Sequence, residues 1–207
     1  MTIRFENSVF VHVPRTGGVW LREAIKTLEI KKHVLIGDYD SHLTHNELPD
    51  DWGGQFKFSF IRHPLAWVRS RWTHAIEYRT PEEHTFFGIH RAFDELVKPT
   101  FVETLQNILE KRPGLYEQTL WEMQGTVCAL CQTESLPNSV CQILQQHEGL
   151  TDSQLEVIRA QPRFNSTVLM NHWHDNPELQ IPQTLQDEFL ASEALSLQTW
   201  NSAKGLT

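Results

Sequence analysis

The chain reads as an α/β protein with a central, mainly parallel β-sheet flanked by helices, and three observations carry that expectation. Val9 to Val13 is a short apolar run that stops at Pro14; beyond Thr16-Gly17-Gly18, Leu21, Ala24, Ile25 and Leu28 recur at helical spacing. Phe56, Phe58 and Phe60 alternate through a second strand that ends at Ile61. Pro64 then suits the first turn of a helix carrying Leu65, Val68, Trp72 and Ile76. The same order recurs with a strand over Thr126 to Cys131 and a helix after Pro137. Strands alternating with helices imply a parallel sheet, because parallel neighbours need a crossover long enough to hold a helix.

The remaining elements follow from caps and periodicity. Thr100 and Glu103 are spaced as a capping box before Phe101, Leu105, Ile108 and Leu109, and Thr151 with Gln154 can cap another helix. Asn165 to Met170 reads as a late strand, and Thr184 to Trp200 as a helical tail. With 207 residues, 40% of them hydrophobic, the chain can bury a sizeable core. No repeat or linker composition divides it, so one domain over residues 1–207 is expected.

Charge excludes several partners. A formal net charge of -8 and a pI near 5.7 leave no chain-wide basic field for nucleic acid or an anionic membrane, so any anion site must be local. No apolar run approaches the roughly 20 residues a membrane span needs, and the expected location is cytoplasmic. Cys128, Cys131 and Cys141 are three in number, unlike the even framework of a disulfide-stapled domain, and read as reduced thiols.

The first chemical constellation is Pro14-Arg15-Thr16-Gly17-Gly18-Val19-Trp20, between a strand and a helix. In open parallel sheets, ligands sit beyond the carboxyl ends of strands, where the free amides of a following helix favour phosphate. Two glycines let the backbone wrap an anion closely, Arg15 adds a guanidinium fork, and the Thr16 hydroxyl offers a further donor. The bland alternative is a plain glycine turn. The Walker spacing Gly-x4-Gly-Lys-Ser/Thr does not occur. The second constellation is Arg62 at a strand end with Ser70 eight residues on, two turns into the helix that Pro64 opens.

Pro14 to Trp20 resembles the 5′-phosphosulfate loop of sulfotransferases, commonly Pro-Lys-Ser/Thr-Gly-Thr-Thr-Trp. Ile61-Arg62-His63-Pro64 through Ser70 resembles their 3′-phosphate motif, and both occur in the family's order. Phe101-Val102 to Gln118 is similar to a helical region of compact members, Thr133-Glu134-Ser135-Leu136 to their Glu-x-Leu element, and Arg163 to Ser166 to their C-terminal section. The resemblance implies a fold like P-loop nucleotide-binding domains. It further implies a sulfotransferase that moves the sulfuryl group of 3′-phosphoadenosine-5′-phosphosulfate (PAPS) to a hydroxyl or amine, releasing adenosine 3′,5′-bisphosphate without a metal.

Residue by residue, it implies that the amides of Thr16, Gly17, Gly18 and Val19, with the Thr16 hydroxyl, hold the 5′-phosphosulfate. Arg62 and Ser70 hold the 3′-phosphate, with Arg163 as a looser candidate. Trp20 takes the family's aromatic position, either stacking on adenine or packing in the core. Arg15 stands where lysine is usual, Gly18 and Val19 where threonines are frequent, and His63 where Asp or Asn is common. Arg15 would stabilise charge on the leaving oxygen, since a guanidinium keeps its proton. Ser41-His42-Leu43 resembles the family's Thr-His-Leu stretch, which makes His42 the general base, with His45 in reserve and Glu47 a further option.

Other readings stay on the page. Cys128, Cys131, Cys141 and His147 offer a Cys-x2-Cys zinc pattern, but a strand over Thr126 to Cys131 would turn Cys128 and Cys131 to opposite faces, so buried thiols fit better. His172-Trp173-His174-Asp175 is a second metal-like cluster without matching carboxylates. A non-catalytic protein binding PAPS or its bisphosphate product, and a P-loop phosphotransferase using ATP and magnesium, are the alternatives to an enzyme of sulfate transfer. The acceptor, a small molecule or carbohydrate, would meet segments around Ser41 to Asp51 and Tyr78 to His90. Trp52, Phe86 and Phe87 favour a small or aromatic hydroxyl compound. A homodimer stays open as an assembly.

Overall fold

Phenylalanines at alternate positions make the centre of the sheet. In the computed structural model, which describes residues 2–26, 28–35, 48–52, 54–77, 93–125, 127–162 and 180–203, Phe10, Phe58 and Phe60 are fully buried on one face, with ring centroids 4.5 to 6.4 Å apart. Each such ring contributes about 2 kcal/mol by leaving water. The strands are β1 (Thr2–Phe5), β2 (Ser8–Val11), β3 (Lys32–Leu35), β4 (Phe56–Ile61) and β5 (Ala129–Gln132), in spatial order β3-β1-β2-β4-β5. β2, β4 and β5 pair in parallel, with Phe10 opposite Phe58 and Phe60 opposite Cys131. β1 is antiparallel to both neighbours, so four of the five strands share one direction. The mainly parallel, helix-flanked sheet is therefore as expected, whereas the inserted β1 and the edge strand β3 were not foreseen. The strand anticipated over Thr126 to Cys131 begins later, at Ala129, and the one over Asn165 to Met170 lies outside the described residues.

The described residues divide into two compact units, one from Met1–Arg62, Leu120–Phe164 and Thr199–Thr207, the other from His63–Thr119 and Asn165–Gln198. In the first, the phenylalanine face of the sheet is covered by α1 (Gly18–Lys26) through Trp20, Leu21, Ala24 and Ile25. Further along the chain, α5 (Asn138–Glu148) and α6 (Asp152–Arg159) add Val140, Ile143, Leu144, Leu155 and Ile158. On the other face Val9 and Val11 meet Trp52, with Leu48 and Val127. The Lys32 ammonium ends α1 by donating to the carbonyls of Ile25 and of Leu28, the latter at 2.9 Å, and its burial holds its pKa below the ordinary lysine value. Glu148, closing α5, accepts bonds from the Glu6 and Asn7 amides and the Ser8 hydroxyl, which pins the β1–β2 turn.

The second unit is helical: α2 (Pro64–Glu77), α3 (Phe101–Lys111), the start of α4 (Leu115–Gln124), α7 (Gln183–Ser192) and the start of α8 (Ala194–Ser202). Trp67 stacks on Tyr116 at 4.5 Å and meets Phe93 edge-on, and Trp72 packs against Phe101 while donating its indole N–H to the Lys98 carbonyl. Thr100 and Glu103 form the reciprocal capping box of α3, as Thr151 and Gln154 do for α6. The expected tail is two helices, broken at Glu193.

Candidate functional site

Three parallel strands deliver their carboxyl ends side by side. β2 runs through His12 and Val13 into the loop Pro14 to Gly17 and then α1; β4 ends at Ile61 and hands on to Arg62; β5 ends at Gln132 and enters a 3-10 turn over Thr133–Ser135. The loop needs unusual backbone: Gly17 has φ +105°, and Arg15, with a side chain, has φ +67°. That left-handed conformation costs a non-glycine residue about 1–3 kcal/mol, so surrounding contacts must hold it.

Those contacts are visible. Arg62 Nη1 donates to the Arg15 carbonyl at 3.2 Å, and Thr133 Oγ1 donates to the Thr16 carbonyl at 2.8 Å and reaches the Ile61 carbonyl at 3.2 Å. In a trans peptide the N–H lies opposite the C=O, so carbonyls turned toward Arg62 and Thr133 turn the amides of Thr16 and Gly17 the other way. Successive amides so aimed, at the positive end of α1, are donors of the kind that bind anions in other proteins. Two close packings fix the glycines. A β-carbon on Gly17 would stand 3.1 Å from Leu136 Cδ1, and one on Gly18 would clash with the His12 imidazole, 2.2 Å from its Cδ2 and Nε2.

Each expected site residue has a definite place, except where the chain is not described. Arg15 is half-buried in the loop and Val19 is half-buried in the first turn of α1. Thr16 is fully buried, and its hydroxyl proton goes to the Val13 carbonyl at 2.7 Å. A hydroxyl has one proton, so this bond takes the donor that was anticipated for an anion. Trp20 is 5% exposed within the core, its indole N–H on the Gln161 carbonyl at 3.3 Å, which is the packing alternative rather than a stacking surface. Ser70 is buried on α2 and belongs to the second unit. His42, His45, Glu47, Arg163, Phe86, Phe87 and the His172 to Asp175 cluster lie outside the described residues.

Two further expectations change. Trp52, taken as an acceptor contact, is 4% exposed, packed on Val9 and Val11 with the Arg4 guanidinium 5.3 Å above its ring. Of the cysteines, Cys131 and Cys141 are buried thiols, Cys131 pushed up to about 12 by burial, whereas Cys128 is exposed. His147 stacks on Phe56 at 3.8 Å. No group of metal-ligating side chains occurs among the described residues.

Sequence reasoning missed His12 and Thr133. His12 alternates with Phe10 and sits two residues before Pro14, so its face was readable, but not that its ring would occupy the place of a side chain on Gly18. Thr133 lies in the segment likened to a Glu-x-Leu element, but its bond to the loop carried no local signal, since its partner Thr16 is 117 positions away.

No protein-family model, no curated protein and no solved structure matches the chain. Fold and site together define an α/β protein with a glycine-bearing loop and an arginine at the carboxyl ends of adjacent parallel strands. No helix among the described residues is long and apolar enough to cross a membrane.

Proposed function

We propose that the chain is a sulfotransferase that carries the sulfuryl group of PAPS to a hydroxyl or amine of a small-molecule or carbohydrate acceptor, on a fold like that of P-loop nucleotide-binding domains. The single observation that supports it most is the bond from Arg62 to the Arg15 carbonyl, because it joins the two motifs on which the resemblance rests. The loop amides from Thr16 to Val19 would take the 5′-phosphosulfate. Arg62, which follows the end of β4, would supply the guanidinium that the motif assigns to a 3′-phosphate. Ser70 is assigned to that phosphate by motif spacing alone.

In the transfer, a lone pair of the acceptor oxygen or nitrogen forms the new bond to sulfur as the bond from sulfur to the phosphate oxygen breaks. The acceptor proton passes to His42, and the electrons of the broken bond stay on the bisphosphate. Arg15 stabilises that charge without giving up a proton. The chemistry asks nothing of a metal.

Calorimetric titration with adenosine 3′,5′-bisphosphate, 5′-AMP and ATP with magnesium tests the reading. Micromolar binding that requires the 3′-phosphate is expected, and a preference for ATP with magnesium would replace it with phosphotransfer. Arg62→Ala should weaken bisphosphate binding by roughly 10- to 100-fold, the worth of a charge-assisted hydrogen bond. Adenosine 5′-phosphosulfate should lose less, through the loop carbonyl alone; equal losses would remove Arg62 from the 3′-phosphate. His42→Ala should abolish turnover at unchanged bisphosphate affinity, and retained turnover would give the base role to another residue.

A further inference from the structure

The bonds at the strand ends close into a circuit. The Thr133 hydroxyl holds the Thr16 carbonyl and reaches that of Ile61; Ile61 is followed by Arg62; Arg62 returns to the carbonyl of Arg15, next to Thr16. We infer that Thr133 is a positioning residue whose hydroxyl sets the separation between the loop amides and the Arg62 guanidinium, so that the site selects ligands carrying two anionic groups at one spacing. The inference deepens the donor-site reading above and rests on it.

Several features make Thr133 a fixed post rather than a follower. Its turn is held on both flanks: Gln132 donates to the Trp200 carbonyl at 2.6 Å, the Trp200 indole N–H donates to Glu134 at 3.1 Å, and Ser135 closes on the Gln132 carbonyl at 2.9 Å. One hydroxyl proton shared between two carbonyls, 2.8 and 3.2 Å away, ties the loop to the β4 end directly. The loop it holds includes Arg15 in a left-handed conformation that a side chain does not adopt unaided. The Thr133 methyl supports the same loop by shape, since a β-carbon on Gly17 would lie 3.8 Å from it. Valine would keep that shape and lose both bonds; serine would keep the hydroxyl.

Thr133→Val and Thr133→Ser in the full chain separate positioning from general support. Without ligand, trypsin cleavage after Arg15, compared with cleavage after Arg159 on α6, reads the loop itself. Thr133→Val should raise that ratio by about fivefold or more, and Thr133→Ser should leave it near the wild-type value. With ligand, Thr133→Val should lose about tenfold in affinity for adenosine 3′,5′-bisphosphate while 5′-AMP and 3′-AMP each stay within about twofold, because only the doubly anchored ligand depends on the spacing. Thr133→Ser should recover the bisphosphate affinity. An unchanged cleavage ratio in Thr133→Val, or equal losses on all three nucleotides, overturns the inference. If the wild-type protein binds none of the three, the donor-site reading falls, and the cleavage ratio alone then decides whether Thr133 sets the loop.

Discussion

Gly18 stands where the sequence reading expected a threonine to be frequent, and the packing supplies a physical reason for glycine there. The His12 ring, 6% exposed at the end of β2, fills the space that a side chain at position 18 would need. Gly18→Ala should therefore destabilise the protein by about 1–3 kcal/mol, the cost of overpacking a closed site. In a His12→Ala background the same substitution should cost much less, because the obstruction has gone, and urea denaturation of the two single variants and the double variant measures the coupling. Additive losses would mean that the loop moves aside instead. At this scale the sequence made the loop and Arg62 legible, since glycines, a proline and an arginine at strand ends are local signals. It left the roles of Trp20 and Trp52 undecided, because a tryptophan near a site looks the same in sequence whether it packs or binds. Thr133 and the left-handed Arg15 were beyond reach, being consequences of contacts between distant segments.

Elements were legible where their own residues decide them. The capping boxes at Thr100 and Thr151 formed as spaced, and β4 and α2 start where Phe56 and Pro64 indicate. β1 and β3 were missed because four residues such as Thr2-Ile3-Arg4-Phe5 carry too little periodicity to outweigh their surroundings; pairing with neighbours makes them strands. The helical stretch inferred up to Gln118 divides into α3 and α4 around Gly114, whose φ of +76° needs no side-chain compensation. The tail divides at Glu193 for a tertiary reason: its carboxylate accepts the Tyr116 and Glu117 amides, each at 2.9 Å, at the start of α4, a partner that no window around residue 193 contains. That bond pattern satisfies helix-start amides that would otherwise be orphaned.

At the scale of the whole molecule, the chain passes between its two units four times, which hides the division from any search for a linker. The same interleaving places a titrating group where it governs stability. Glu193 is fully buried, and desolvation raises its pKa above the ordinary carboxylate value even though the Tyr116 and Glu117 amides and the Ser196 hydroxyl favour the charged form; the nearby Glu117 charge raises it further. A carboxyl with a raised folded-state pKa binds its proton more tightly in the native chain than in the unfolded one. Its contribution is thus fully present below the unfolded pKa, near 4.3, and is lost as pH rises through the folded value. Wild-type stability measured by urea denaturation should fall across that acid window. Glu193→Gln, which retains an acceptor oxygen and cannot ionise, should lose this component, by at most about 1.4 kcal/mol per pH unit for one proton. The test is the difference between the two pH profiles rather than either alone, since every other carboxyl is common to both. Parallel profiles from pH 4 to 7 would show that the hydrogen bonds to Glu193 balance its desolvation, leaving no net shift, and that the side chain holds α4 equally well in either charge state.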